Sequence, residues 1–231
     1  MAAHTIDPAQ AAGSSGTIAA TETDLVRIPR RRVDEILIGF GAIATVVLFV
    51  AGGLLMWGAN FSKDYVRKEL ASQNVFFPPK ADLVAEGRAD LASHAGQQVT
   101  TGSQAQAYAG YIAGHLKGIA GGKTYSEVDD RGAAAAVVAA TKAGESPAKI
   151  AKLQATADQL KGQRDTLFKG ETLRGLLLSA YAWSTVGVIA GIAAWFALGA
   201  GVLLLALTVA GIVHLRRTTH GKGSAPQAAA A

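Results

Sequence analysis

Cysteine is absent from the sequence, and aromatic residues make up only 6% of its 231 positions. Without cysteine the chain can form no disulfide, no thiolate nucleophile and no cysteine-ligated metal site. Charged residues are also scarce, at 17%, against roughly 25% in an ordinary soluble domain. Any folded domain exported from the cell must therefore be stable through packing alone.

Charge is missing altogether from two long stretches, residues 36–62 and 175–213, which also contain no histidine. Each is longer than the roughly 20 apolar residues that cross a hydrocarbon core. The sequence therefore predicts an all-α membrane protein with transmembrane helices at residues 36–58 and 186–213. Ionisable groups inside a membrane usually mark transport paths and proton relays. Their absence argues against a transporter or channel built from this chain alone.

The first uncharged stretch begins some 35 residues into the chain and is followed by Leu-Leu-Met-Trp-Gly-Ala-Asn. A cleavable signal peptide has a shorter apolar core, of about 7–15 residues, and a small-residue cleavage site. We therefore expect this stretch to be a retained signal anchor. Residues 1–33, which end in a basic flank, and residues 214–231 are poor in large apolar groups, and we expect both to be disordered tails.

Basic residues flank the two spans at the ends that face the chain termini. The flanking residues are Arg30, Arg31, Arg32, Arg216 and Arg217. Positive flanks favour the cytoplasm, so we expect a protein of the cytoplasmic membrane with both termini cytoplasmic. Trp57 and Trp183 fall at the opposite ends of the spans, where indole rings favour the membrane interface. Trp195 lies deeper, and we expect it to be a packing residue.

Residues 59–183 are predicted to form an extracytoplasmic bundle of about four helices. The first span is expected to continue to about residue 73 and to stop before the Phe-Phe-Pro-Pro sequence, because proline ends helices. Capping and glycine signals then divide the chain. They predict helices over 81–94, from Thr101 to Gly121-Gly122, from Thr124 to Gly144, and from Ser146-Pro147 to an interruption at Lys169-Gly170.

Glycine returns every fourth residue in the second of these helices, at Gly110, Gly114 and Gly118. Each interior glycine costs a helix about 1 kcal/mol relative to alanine, so we expect a close neighbour. The two alternatives are the alanine-rich helix at 133–140 and an outside partner. The candidate packing or partner surface consists of this stripe, the adjacent apolar arc and a seam on the predicted helix that begins at Ser146-Pro147. Its members beside the glycines are Tyr108, Tyr111, His115, Leu153 and Leu160.

Motifs for chemistry are missing. The glycine run lacks the Gly-Lys-Ser/Thr ending of a phosphate loop, and no hydrolase or zinc-protease signature occurs. His94 and His115 have no second ligand at metal spacing. No basic stripe is interleaved with aromatics, so nucleic acid is not expected as a partner. We expect no enzyme activity, no cofactor and no metal.

Three segments carry a resemblance: VFFPP at 75–79, HAGQQVTTGSQAQAYAGYIAGHLKGIAGGKTYSEV at 94–128 and LFKGETLRGLLLSAYAW at 167–183. Over roughly residues 36–215 the chain resembles a group of uncharacterised actinobacterial two-span membrane proteins. Some members bear an aromatic ring-opening dioxygenase label, which implies a 2-His-1-carboxylate iron site. No suitable carboxylate accompanies His94 and His115, so these residues do not support that label.

Three functional hypotheses follow from the sequence. The leading one is a non-enzymatic accessory or scaffold protein that presents a helical domain outside the cytoplasmic membrane, with the lipid bilayer and another membrane protein or complex as partners. The second is a small-ligand sensor that acts through a partner protein, with the tyrosines lining a pocket. The third, least favoured, is an enzyme with His115 as its acid–base group.

Overall fold

The computed structural model describes residues 29–220, with side chains to residue 217; the predicted tails at 1–28 and 221–231 lie outside this range. The described part is all-helical and contains no β-strand. Its α-helices are α1 (Arg30–Ser72), α2 (Lys80–Ala85), α3 (Gly102–Lys117), α4 (Asp130–Lys142) and α5 (Pro147–His220), with short 3-10 helices at Ala89–His94 and Ile119–Gly122.

Two of these helices, α1 and α5, are long and apolar enough to cross a membrane. Their most apolar windows have mean hydropathies of 2.4 and 2.5, yet only 11% of each window is buried inside the protein. The core helix of a soluble protein would instead be mostly buried. Both helices extend beyond the predicted spans, so residues 30–33 and 214–220, which we expected in disordered tails, are helical.

The two long helices pack against each other in antiparallel order through small residues. Buried positions on α5 recur every seventh residue, at Gly187, Ala194, Gly201 and Thr208. A seven-residue repeat keeps one seam facing the partner helix, as in a left-handed coiled coil. A Cβ on Gly52 would lie 2.8 Å from Leu198 Cγ. The two predicted spans therefore pack on each other.

The charged segment between the two apolar stretches, residues 63–174, is called the polar domain below. As predicted, α1 continues into it and stops before Pro78 and Pro79. The predicted interruption at Lys169-Gly170 is wrong, because α5 is continuous from Pro147 to His220. Gly170 instead leaves room for the side chain of Leu116, whose Cδ1 would be 3.0 Å from an added Cβ.

Helix α3 packs across α5 in the polar domain, and α4 packs on the part of α5 near Pro147. The main core includes Leu70 of α1 and Leu177 of α5. The same core contains Phe77, Leu83, Leu91 and Val99, which come from the segment between α1 and α3. A second cluster joins Leu116, Val128 and Leu167. The predicted 81–94 helix is in fact two short helices, with a turn at Gly87.

Capping explains where α3 and α4 begin. The predicted capping box is present, since Thr101 accepts a hydrogen bond from the Gln104 amide and Gln104 reciprocates. The second predicted box forms a turn instead: Glu127 accepts from the Thr124 amide at 2.7 Å, but α4 begins at Asp130 and is capped by Asp129. Helix α3 ends at Lys117, a turn before Gly121-Gly122, because Ala120 and Gly121 adopt left-handed backbone conformations.

Helix α4 is fastened to α5 by a charged contact. Arg164 of α5 donates a hydrogen bond to the carboxylate of Asp130 and lies 4.4 Å over the ring of Tyr125. The guanidinium lowers the pKa of Asp130, so the carboxylate stays charged in the folded protein. This contact holds the start of α4 in place beside the middle of the α5 polar segment.

Candidate functional site

The predicted residues Tyr108, Tyr111 and His115 come together in a row of rings along one face of α3. Tyr108 and Tyr111 are 5.5 Å apart between ring centroids, and Tyr111 and His115 are 4.4 Å apart. The row continues into the preceding segment, where Phe77 lies 5.2 Å from Tyr108 and 5.1 Å from His94. Their i, i+3, i+7 spacing places the three α3 rings on one face.

Carboxylates of α2 and the turn after it set the electrostatics of this row. Glu86 lies 3.7 Å from Nε2 of His115. Burial, together with the neighbouring Glu86, raises the pKa of Tyr111 to about 12. Burial also raises the pKa of Tyr108. Both tyrosines therefore remain neutral phenols near pH 7, which suits them to packing and hydrogen bonding rather than to proton abstraction.

No cluster of three or more metal-ligating side chains occurs within residues 29–217. His94 and His115 stand at opposite ends of the row, with Phe77, Tyr108 and Tyr111 between them. His115 is about half exposed. The structure thus places the two histidines apart instead of converging them on one site.

The glycine stripe faces an arginine. Arg88 donates to the carbonyl oxygen of Gly110 at 2.9 Å, and its other nitrogens hold the carboxylate of Asp90. A Cβ on Gly110 or Gly114 would lie 3.9 or 3.5 Å from that guanidinium, which is ordinary contact. Of the two alternatives for a close neighbour, the alanine-rich helix is wrong, because α3 packs on α5 and the stripe lies against Arg88. The outside partner stays a prediction. Gly118 caps the end of α3.

The predicted leucine seam on α5 is largely internal. Leu160 packs against the cluster of Leu116, Val128 and Leu167. Leu153 is half-buried. Leu160 therefore helps to hold the polar domain together, whereas Leu153 keeps a partly exposed side chain.

The predicted interface residues fall at the two ends of the helix pair. Trp57 and Trp183 are 67% and 59% exposed, and the Ser62 hydroxyl donates to the carbonyl of Trp183 at 2.7 Å, which joins this end of the helices. The flanking arginines lie at the other end, where Asp34 and His214 line a common cavity. Trp195 is 71% exposed, so the expectation that it packs inside the protein is wrong.

Two aromatic residues were missed by the sequence analysis. Phe61 and Tyr65 extend Trp57 into a stacked ladder on α1, with centroid distances of 5.7 and 6.0 Å. All three side chains are more than half exposed. Their i, i+4 spacing in the sequence was the available signal. The ladder and Trp183 together form an aromatic belt at the end of the helices that adjoins the polar domain.

A basic cavity of about 360 Å³ lies between the end of α3, the 122–126 turn and α5. Its charged lining residues are Lys117, Lys123, Arg174 and Glu171. The last two form an ion pair at 2.9 Å. The hydrogen bonds that Glu127 accepts from Thr124, and after them the nearby Lys123, lower the pKa of this carboxylate. The row of rings does not line this cavity.

Comparison with protein-family models, with curated proteins and with solved structures found no match to this chain. The architecture is that of a two-helix apolar pair that carries a small helical domain. The resemblance described above stays a prediction.

Proposed function

We propose that this protein is a non-enzymatic membrane scaffold, which holds its polar domain outside the cytoplasmic membrane and presents it to a partner protein. The observation that carries the proposal is the continuity of α5 from Pro147 to His220, a helix of 74 residues. At 1.5 Å per residue it is about 110 Å long. No break separates its polar segment from its apolar one, so the domain is held rigidly relative to the bilayer.

The proposed orientation in the membrane follows from the basic residues that flank the two spans. Arg30–Arg32 begin α1, and Arg216 and Arg217 lie near the end of α5, at the same end of the helix pair. Under the positive-inside rule this end is cytoplasmic, and the polar domain is exported. The aromatic belt of Trp57, Phe61, Tyr65 and Trp183 then lies at the outer interface.

The surface best suited to a partner is the free face of α4. Only α5 makes an extensive contact with α4 within the described residues. Between the exposed Arg131 and Lys142, the remaining face is uncharged, with exposed Ala134, Ala135 and Val138, the last 54% exposed. Small apolar side chains let a second helix approach closely, so the expected partner presents an apolar helix. This face replaces the glycine stripe and the leucine seam as the candidate contact surface.

Photo-crosslinking in native membranes tests the proposal. A photoreactive residue at Val138 should give one protein adduct of reproducible mass. The same residue at Gln159, exposed on α5, serves as the matched control and should not give that adduct. The substitution Val138→Asp should abolish co-purification of the captured protein. Identical adduct patterns at both positions, or none at Val138, would contradict the scaffold role.

A second candidate, a small-ligand sensor acting through a partner, is favoured by the basic cavity beside Lys117 and Lys123. The continuous α5 would pass a change at this cavity toward the membrane. Inorganic phosphate is a suitable probe, since the lining carries three cationic side chains against one carboxylate and so favours an anion. It should raise the melting temperature of the full-length protein and should not raise that of Lys123→Gln. The substitution Lys80→Gln, which removes an exposed charge elsewhere, is the control.

A further inference from the structure

We propose a binding site for an anionic phospholipid in the groove between α1, α5 and the start of α3. This proposal requires that α1 and α5 cross a bilayer, and it is independent of the scaffold role. The groove has a volume of about 480 Å³, within the range of about 300–1,000 Å³ that is typical of ligand sites.

Two stripes of residues form the long walls of the groove. The α1 wall consists of Met56, Asn60, Lys63 and Arg67, and the α5 wall consists of Ser184, Val188, Gly191 and Trp195. Each stripe follows the three- and four-residue spacing of one helix face. Because the helices are antiparallel, Met56 lies near Trp195 at one end and Arg67 near Ser184 at the other. The groove therefore runs along the helix pair.

Polarity changes from one end of the groove to the other. The end within the apolar stretches is lined by Met56, Val188 and Trp195. The end at the polar domain carries Lys63 and Arg67, with the hydroxyl-bearing residues Thr100 and Thr101 of the segment that leads into α3. Lys63 and Met56 are seven residues apart on α1, which is about 10 Å along the axis. A phospholipid has the same arrangement, with a polar head group at one end and apolar acyl chains at the other.

Charge at the polar end selects an anionic head group. The lining contains two cations and no acidic residue. Neither Lys63 nor Arg67 forms an ion pair within the described chain, and both are exposed. The side chains of Asn60 and Ser184 likewise make no hydrogen bond there. A phosphate could accept from the two cations and from Asn60, and each cation near an anionic lipid favours binding by roughly fivefold.

Small residues make the floor of the groove. Gly187 and Gly191 of α5 face Ser62 and Ala59 of α1, with an added Cβ on Gly191 lying 3.5 Å from that of Ala59. Larger side chains at these positions would fill the cleft between the helices. The exposed Trp195, at 71%, stands as one side of the apolar end, where its ring would lie along an acyl chain.

Tryptophan quenching by brominated lipids tests the site. The substitutions Trp57→Phe and Trp183→Phe leave Trp195 as the only tryptophan in the full-length protein. In mixed bilayers, brominated phosphatidylglycerol should quench Trp195 at a several-fold lower mole fraction than brominated phosphatidylcholine does. Adding Lys63→Gln and Arg67→Gln should remove this preference, a loss of roughly 25-fold at most.

A matched control removes two charges outside the groove. Lys68 and Lys80 are exposed and line no part of it, so Lys68→Gln with Lys80→Gln should keep the preference for phosphatidylglycerol. Equal quenching by the two lipids, or an equal loss in the control, would overturn the proposal. Free glycerol phosphate should not displace the lipid. Displacement by it would show an anion site without an acyl-chain groove and would also overturn the proposal.

Discussion

The side chain of Leu116 in α3 fills the space that a methyl group on Gly170 of α5 would occupy. This contact seats α3 on α5 and joins the second core cluster, which contains Leu116, Val128 and Leu167. Gly170 is therefore a packing position in an uninterrupted helix. The glycine lets a leucine from a distant part of the chain approach the helix backbone.

Substitution of Gly170 by alanine should lower the melting temperature of the full-length protein in detergent. Overpacking costs about 1–3 kcal/mol, which exceeds the gain of about 1 kcal/mol in helix propensity. Gly162, also on α5, has nothing within 4 Å of an added Cβ, so Gly162→Ala should raise the melting temperature. In the background of Leu116→Ala, the cost of Gly170→Ala should disappear. Equal changes in melting temperature for Gly170→Ala and Gly162→Ala would refute the contact between Leu116 and Gly170.

Alanine at Gly110 or Gly114 should stabilise the protein by up to about 1 kcal/mol each, because the added methyl meets Arg88 at ordinary contact distance and helix propensity improves. At Gly102, by contrast, the side chain of Ser184 leaves no room, and the Cα of Tyr181 would be 3.3 Å away. Gly102→Ala should therefore destabilise. Thermal unfolding followed by circular dichroism measures all three. A fall in melting temperature for Gly110→Ala or Gly114→Ala would contradict the ordinary contact distance between the added methyl group and Arg88.

The phenol of Tyr111 should titrate later than an ordinary tyrosine. Its pKa is raised from 10.0 to about 12 by burial and by Glu86. A pKa raised in the folded state contributes stability that is complete below pH 10 and is lost as pH rises toward 12. Phenolate absorbance should show a component near pH 12 that Tyr111→Phe removes. Glu86→Gln should move that component to lower pH. A component near pH 12 that survives in Tyr111→Phe would disprove the assignment.

The proposed orientation can be mapped with single cysteines, since the chain has none of its own. Ser146, which is exposed between α4 and α5, should react with a membrane-impermeant maleimide in intact cells once changed to cysteine. A cysteine at Thr5 should react only after lysis. The opposite pattern would place the polar domain in the cytoplasm and would contradict the positive-inside assignment.

Much of this fold is local in origin and could be predicted. The absence of charge from two stretches predicts α1 and α5, and Thr101 with Gln104 predicts the start of α3. The predictions that were wrong depend on contacts between residues that are far apart in the sequence. Lys169-Gly170 has the composition of a break, and only Leu116, more than fifty positions away, makes it a packing site. The role of Arg88 beside Gly110 was likewise hidden, because a surface arginine in a sequence gives no sign of which carbonyl it will reach.

The candidate sites also differ in whether local sequence predicts them. The row from Tyr108 to His115 follows from helical spacing alone. The groove between Lys63 and Trp195 does not, because its walls belong to segments more than a hundred residues apart and meet only through the antiparallel register of α1 and α5. Within each segment, a lysine or a tryptophan has the spacing of an ordinary surface residue.

In the proposed membrane orientation, the unbroken α5 would convert a tilt of the helix in the bilayer into a displacement of the polar domain. The 28 residues from Pro147 to Arg174 project about 42 Å beyond the uncharged stretch. Membrane helices adjust to local thickness by tilting. Because α5 is continuous, a tilt of about 10° would carry Pro147 and the attached α4 roughly 7 Å sideways. A thinner or thicker patch of membrane would thereby change which neighbours α4 can reach.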